Sequence, residues 1–303
     1  MSDLKLFRIG SDGVQELAGE AVALEKSLQD LIERNLEDIL GVRFLATEYV
    51  TGKKHGGRID TLGIDENGCP VIIEYKRSMN ENVINQGLFY LDWLLDHKAE
   101  FWRLVLEKYG RDVADGIEWS GPRLLCIAGD FTRYDEHAVG QINRNIELLR
   151  YRRFADELLL LELVNATTAT DTCAPSSQGS SSRSGPKTIT QVLDDLSGEL
   201  RDLYDRVDQE LQNLGDDVQT KTLKYYMAYK RLKNFACVEV HTTKGCLTCY
   251  VKVDPDGVEL EEGFTRDVRE IGHYGTGDLE ITLRTVADFD RARELFVQSY
   301  EAS

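Results

Sequence analysis

Residues 56–76 read GGRIDTLGIDENGCPVIIEYK. Two apolar runs, Arg58 to Ile64 and Pro70 to Tyr75, flank Asp65-Glu66-Asn67-Gly68. Asn-Gly between two such runs is a strong hairpin signal. Asp60 lies on the first run; Glu74 and Lys76 lie on the second, one residue apart. On a strand, Glu74 and Lys76 project to the same side, and Tyr75 points to the other. Pairing of the two runs brings Asp60 close to Glu74. Two neighbouring carboxylates repel each other unless something positive lies between them, and Mg²⁺ suits such a hard oxygen site. A metal held there lowers the pKa of a bound water and stabilises charge on a phosphate. A lysine alongside orients the water or neutralises charge that develops during attack. The stretch therefore predicts metal-assisted hydrolysis of a phosphodiester.

Working outward, Ala21 to Leu40 carries Leu24, Leu28, Leu31, Ile32, Leu36 and Ile39 at helical spacing, and Gly41 suits its end. Glu25 falls at the edge of the apolar stripe, whereas Glu33 and Glu37 fall away from it. Glu25 is thus the preferred third carboxylate, with Glu33 in reserve. Further strands are predicted at Val42 to Val50, Arg123 to Ala128 and Glu157 to Val164. Helices are predicted at Glu81 to Tyr109 and Glu136 to Arg150. Gln86 and Tyr90 share a face of the first of these and are candidates to hold a phosphate or the attacking water. The order αβββαβαβ implies an α/β architecture, a mixed sheet flanked by helices.

The run from Asn165 to Lys187, NATTATDTCAPSSQGSSSRSGPK, has almost no large apolar residues and reads as a flexible linker. It separates residues 1–164 from 188–303. The second part is predicted to be a small α+β domain. It has helices over Ile189 to Leu214, Leu223 to Arg231 and Ala287 to Tyr300, and strands at Phe235 to His241, Cys246 to Val253 and Leu279 to Leu283.

With 29% charged and 42% hydrophobic residues, the 303-residue chain has a globular composition. No apolar run approaches the ~18 residues of a membrane span, and the start lacks a secretion pattern, so a cytoplasmic location is expected. Six scattered cysteines read as reduced core residues. Zinc on Cys237, His241, Cys246 and Cys249 is disfavoured, because Cys246 and Cys249 on one strand face opposite sides. The net charge of −17 runs against phosphate binding. Local basic groups partly offset it: Lys53, Lys54 and Arg58; Arg144, Arg150, Arg152 and Arg153; and Lys221, Lys224, Lys230, Arg231 and Lys233. The bland reading of each is a solvated face. Gly272 to Gly277 lacks the strand–glycines–helix order of a phosphate loop. Its neighbours Phe264, Arg266, Arg269 and Tyr274 include groups that stack on bases.

Taken together, Asp60, the thirteen residues after it, and Glu74-Tyr75-Lys76, followed by Gln86-Gly-Leu-Phe-Tyr90, resemble the PD-(D/E)XK nuclease superfamily with its restriction-endonuclease-like fold. The nearest likeness is to the RecB-like nuclease domain of NucS-type endonucleases. It covers roughly residues 20–165. Ile59 stands where the motif has proline, a departure the superfamily tolerates. The resemblance implies Glu25, Asp60 and Glu74 as metal ligands for Mg²⁺ or Mn²⁺. It implies Asp60, Glu74, Lys76 and Gln86 as catalytic residues. DNA is the implied substrate, contacted by Lys53, Lys54, Arg58 and Tyr90; RNA stays open as an alternative. A homodimer is an expectation, since many nucleases of this fold pair. For the second part no activity is implied, and its partner is unknown. The rival reading is a non-catalytic nucleic-acid-binding or adaptor protein that keeps the fold. The acidic total favours it, and the complete acidic–lysine set speaks against it.

Overall fold

A computed structural model of the chain describes residues 4–11, 13–20, 25–52, 56–76, 83–155, 157–169 and 187–303. The chain divides into two compact units, Met1–Asp171 and Thr172–Ser303. The first unit opens with an exposed hairpin, β1 (Leu6–Gly10) and β2 (Gly13–Leu17), and a short strand β3 (Gly19–Glu20). Helices α1 (Glu25–Arg34) and α2 (Leu36–Leu40) follow, then β4 (Val42–Val50), β5 (Arg58–Asp65) and β6 (Pro70–Lys76). After α3 (Val83–Asp96), α4 (Lys98–Tyr109) and α5 (Arg111–Asp115) come β7 (Arg123–Ala128), α6 (Arg133–Val139), β8 (Asn145–Phe154) and β9 (Leu158–Thr167).

The sheet runs β3-β8-β7-β6-β5-β4, with β9 paired to β8. Strands β6, β7 and β8 are mutually parallel and the other pairs antiparallel, so the sheet is mixed as expected. Residues of β6 alternate between two covered faces. Ile72 joins Leu124, Cys126, Ile84, Leu91 and Leu94 in the core beneath α3. On the other face the Tyr75 hydroxyl lies 3.4 Å from Thr61 Oγ1, which donates to Glu33 of α1. Helix α2 ends where Gly41 adopts φ +62°, a left-handed C-cap open to glycine at little cost.

Several expected boundaries are corrected. The helix expected over 21–40 breaks at Asn35, and the one over 81–109 breaks at His97. Glu136 to Arg150 is not one helix: α6 stops at Val139, and Asn145 begins the interior strand β8. Asn165 to Thr167 belong to β9 rather than to a linker, while residues 170–186 lie outside the described part.

A buried ion network fixes the β5–β6 turn to the parallel strands. Arg123 grips Glu147 with two bonds, Nε to Oε1 at 2.8 Å and Nη2 to Oε2 at 3.0 Å. Its Nη1 donates to Asp65 Oδ2 at 2.9 Å. Asp65 Oδ1 in turn accepts the N–H groups of Asn67 and Cys69, closing the turn.

The second unit contains α7 (Ile189–Asp195), α8 (Gly198–Gln212), β10 (Gln219–Thr222), β11 (Met227–Lys230), β12 (Asn234–His241) and β13 (Cys246–Val251). β14 (Thr265–Asp267), β15 (Leu279–Leu283) and α9 (Val286–Glu301) complete it. All its strand pairs are antiparallel, in the order β10-β11-β12-β13-β15-β14. Leu203, Val207 and Leu211 of α8 and Phe289, Ala292 and Phe296 of α9 cover Val238, Leu247, Cys249 and Ile281 on one sheet face. The helix expected over 189–214 is interrupted at Leu196 and Ser197, and the short helix expected over 223–231 is corrected to the strand β11. Cys249 sits in this core, whereas Cys246 faces the opposite side, as the alternation predicts.

Candidate metal centre

Strands β5 and β6 pair from Ile64↔Pro70 to Thr61↔Ile73. Beyond that point side chains take over from the ladder. Asp60 N–H donates to Glu74 Oε1 at 3.2 Å, and Tyr75 N–H donates to Asp60 Oδ2 at 3.0 Å. Each carboxylate thus satisfies a main-chain donor of the partner strand, which locks the acids side by side. Glu74 is fully buried, and its Oε2 has no hydrogen-bond partner. A buried carboxylate oxygen without a partner is costly and calls for a proton or a cation.

The electrostatics agree. Burial, and then the charge of Asp60, push Glu74 up to about 9. Burial raises Asp60 as well, against the pull of the Tyr75 N–H and of Lys76; Glu25 and Glu48 add to the rise. The pair is therefore poised to take up positive charge.

Lys76 Nζ lies 3.3 Å from Glu25 Oε1, and the lysine side chain is mostly covered. Glu25 begins α1 and is held to Lys76. Among the described residues no three His, Cys, Asp or Glu side chains converge as a ready metal cluster. The structure brings Asp60 and Glu74 together as a pair, with Glu25 beside them on the lysine. Their hard oxygen donors and the unpartnered Oε2 fit a divalent cation. The reserve candidate Glu33 is occupied elsewhere, with Thr61 Oγ1 at 2.5 Å and Gln29 Nε2 at 2.9 Å.

Gln86 and Tyr90 lie one turn apart on α3. Gln86 Nε2 donates to the Tyr90 hydroxyl at 3.2 Å, and the same hydroxyl accepts Arg58 N–H at 3.1 Å. The Tyr90 ring is buried against Gly57, where any Cβ would come within 2.5 Å of it. Tyr90 therefore fixes the entry to β5, and Gln86 is held to its hydroxyl. Arg58 extends into solvent and pairs with Glu48. Lys53 and Lys54 lie outside the described residues. Of the other basic groups, Arg150 is spent on Asp130 and Glu162, Arg231 pairs with Asp217, and Lys221 and Lys230 are buried.

Two neighbours escaped the sequence reading. Gln29, 3% exposed, donates from Nε2 to the Asp60 carbonyl at 2.7 Å and so supports the strand at the acidic pair. The polar row Glu25, Gln29, Glu33 at fourfold spacing beside Leu28 and Ile32 was its signal. Glu48 lies on β4 between Thr47↔Thr61 and Tyr49↔Ile59, level with Asp60, and holds φ +53°. Left-handed backbone at a non-glycine residue is costly. No pattern in the sequence announces it.

The cation-free protein offers a test of the buried acid. A carboxyl held at about 9 when folded, against an ordinary value of 4.5, keeps a proton that the unfolded chain has released. Between those values stability falls as pH rises. Glu74→Gln retains an acceptor for Asp60 N–H and has no charge to bury. With EDTA present at pH 8, it should melt higher than the wild type by on the order of 5 °C, and the gap should close toward pH 5. A lower melting temperature at both pH values would mean that the carboxylate is well satisfied as it stands.

A family model described as a domain of unknown function (DUF5655) matches residues 189–303, within the second unit. An uncharacterized protein of Haemophilus influenzae is 28% identical over 304 residues, spanning 98% of this chain and 99% of that protein. Among solved structures, a repair endonuclease from Pyrococcus abyssi is 22% identical over 45% of this chain and 51% of its own, with a TM-score of 0.29. An EndoMS–dsDNA complex is 24% identical over 43% and 47%, with a TM-score of 0.25. The chain thus spans about half the length of these two structures.

Proposed function

We propose that the first unit is a divalent-cation-dependent endonuclease that hydrolyses phosphodiester bonds of DNA. One observation carries this reading: Asp60 and Glu74 are locked together by exchanged main-chain bonds, with a buried unpartnered oxygen, on the same strand end as Lys76. DNA as the substrate comes from the PD-(D/E)XK resemblance of the Asp60, Glu74-Tyr75-Lys76 and Gln86 to Tyr90 residues. Asp60 and Glu74 would hold Mg²⁺ or Mn²⁺, and Glu25 would contribute when released from Lys76. The bound ion would supply an activated water and charge stabilisation at the phosphate. Lys76 places an ammonium on the Glu74 side of the strand, where it steadies the water or the charge on the phosphate oxygens. Gln86, aligned by Tyr90, orients the attacking group. Gln29 and the Tyr75 N–H keep Asp60 in place throughout.

The test is cleavage of labelled single-stranded, duplex and forked DNA with Mg²⁺, with Mn²⁺ and with EDTA, comparing the wild type with Asp60→Ala. Metal-dependent cutting by the wild type alone is expected. No cutting on any substrate, with DNA binding equal in both proteins, would favour the adaptor reading instead.

A further inference from the structure

Among the described residues of the second unit, the long helices α8 and α9 pack on one face of the sheet. Over the other face, a cavity of about 370 Å³ opens above β13, β15 and β14. Its size lies at the lower end of the ~300–1,000 Å³ typical of small-ligand sites. It is separate from the acidic pair of the first unit, and the inference does not rest on the function proposed there.

The wall is basic in a chain of net charge −17. Lys244, Arg266 and Arg284 line it against one carboxylate, Glu280. Arg266 is neutralised by Glu280, at 2.5 Å. Arg284 gives one donor to the Gly263 carbonyl at 2.7 Å, which leaves the rest of its guanidinium available. The Lys244 ammonium has no partner among the described residues. Two cations therefore remain uncompensated at one cavity, matching the charge of a phosphate monoester.

The floor is polar. Thr248 and Thr282 face each other across β13 and β15, and both line the cavity. Thr248 is 6% exposed and lines the cavity. A threonine on a cavity wall offers a hydroxyl that can donate to or accept from a ligand.

An aromatic ring completes the cavity. Tyr250 is held by stacking on His273, with centroids 4.2 Å apart and planes 9° apart. Phe264 reaches the cavity edge, but its ring packs against the helix-side core beneath the Arg291 guanidinium at 4.1 Å. A ring fixed in advance, as Tyr250 is, loses little entropy when a base stacks on it. The threonine hydroxyls can accept from a base amine or a sugar hydroxyl. An acidic peptide would use the cations and leave the ring and acceptors idle.

We infer that this cavity binds a nucleoside phosphate through Lys244 and Arg284, with the base against Tyr250 and polar contacts from Thr248 and Thr282. The unit could be a free nucleotide or one residue of a single strand. The test uses the full chain carrying Asp60→Ala, so that no substrate is cut. Titration calorimetry and fluorescence anisotropy compare deoxyadenosine monophosphate, a labelled single-stranded 12-mer, inorganic phosphate and a polyglutamate peptide. Lys244→Ala/Arg284→Ala should weaken nucleotide or strand binding at least tenfold. Both side chains are exposed, so the fold should persist, which the melting temperature checks. Thr248→Val, close in shape, should weaken it several-fold. Binding of the monophosphate supports a free-nucleotide site, and binding of the 12-mer alone supports a strand site. Three results would overturn the inference: no nucleotide or strand binding, binding unchanged in the double variant, or phosphate or peptide bound as tightly as the nucleotide.

Discussion

Lys76→Met should lower metal-dependent cleavage by roughly 10³-fold while leaving the Mg²⁺-induced rise in melting temperature intact. The side chain takes no part in the bonds between Asp60 and Glu74, which come from main-chain N–H groups. Its removal frees Glu25, the carboxylate now 3.3 Å away, and so leaves the pocket more negative, not less. Cation binding should therefore hold or tighten, and only the chemical step should suffer. Asp60→Ala, by contrast, should lose cleavage and cation-dependent stabilisation together, because ligand binding to the folded state is what raises the melting temperature. Single-turnover cleavage and thermal melts at saturating Mg²⁺ separate the two cases. Unchanged cleavage in Lys76→Met would reduce the lysine to a structural partner of Glu25. Loss of the cation effect would mean that it acts through the fold.

The second large effect is structural. Arg123→Met leaves Asp65 and Glu147 buried without their cation, and breaking such a pair costs about 3–5 kcal/mol. For a unit of this size that corresponds to a drop in melting temperature on the order of 10 °C. Neutralising the whole network with Asp65→Asn, Arg123→Met and Glu147→Leu should recover most of the loss. The asparagine side chain would keep the acceptor that closes the turn onto Asn67 and Cys69, and the uncompensated charges would be gone. Chemical denaturation of the wild type, the single variant and the triple variant measures this. A triple variant no better than the single one would show that the network stabilises the fold beyond charge balance.

The acidic pair was legible because it is local. A strong turn between two apolar runs sets the register, and register sets which carboxylates meet. Gln29 left only the trace of a polar row on α1, since it acts through the Asp60 carbonyl, and Glu48 was hidden in an irregular strand. Strand β8 was misread as part of a helix for a related reason. Ile146, Leu148, Leu149 and Tyr151 lie in an interior strand covered on both faces, so polar and apolar residues do not alternate. Its polar members, Glu147 and Arg150, are buried through ion pairs that no local pattern reveals. In the second unit, the tyrosine-rich run before Lys230 carries helical spacing, yet cross-strand pairing to β12 decides it. The cavity over β13 and β15 was invisible for the same reason: Thr248 and Thr282 are 34 residues apart and meet only in the sheet.

The hairpin that joins Asp60 to Glu74 also bears on the order of assembly. Hairpins close in about 1–10 μs, whereas pairing of distant parallel strands is slower. The two acids are thus driven together while the chain is still largely open, before Arg123 arrives from 58 residues away to anchor the turn. Their mutual repulsion is met early in folding, and ionic conditions that quiet it ease the first step of assembly as well as the finished site.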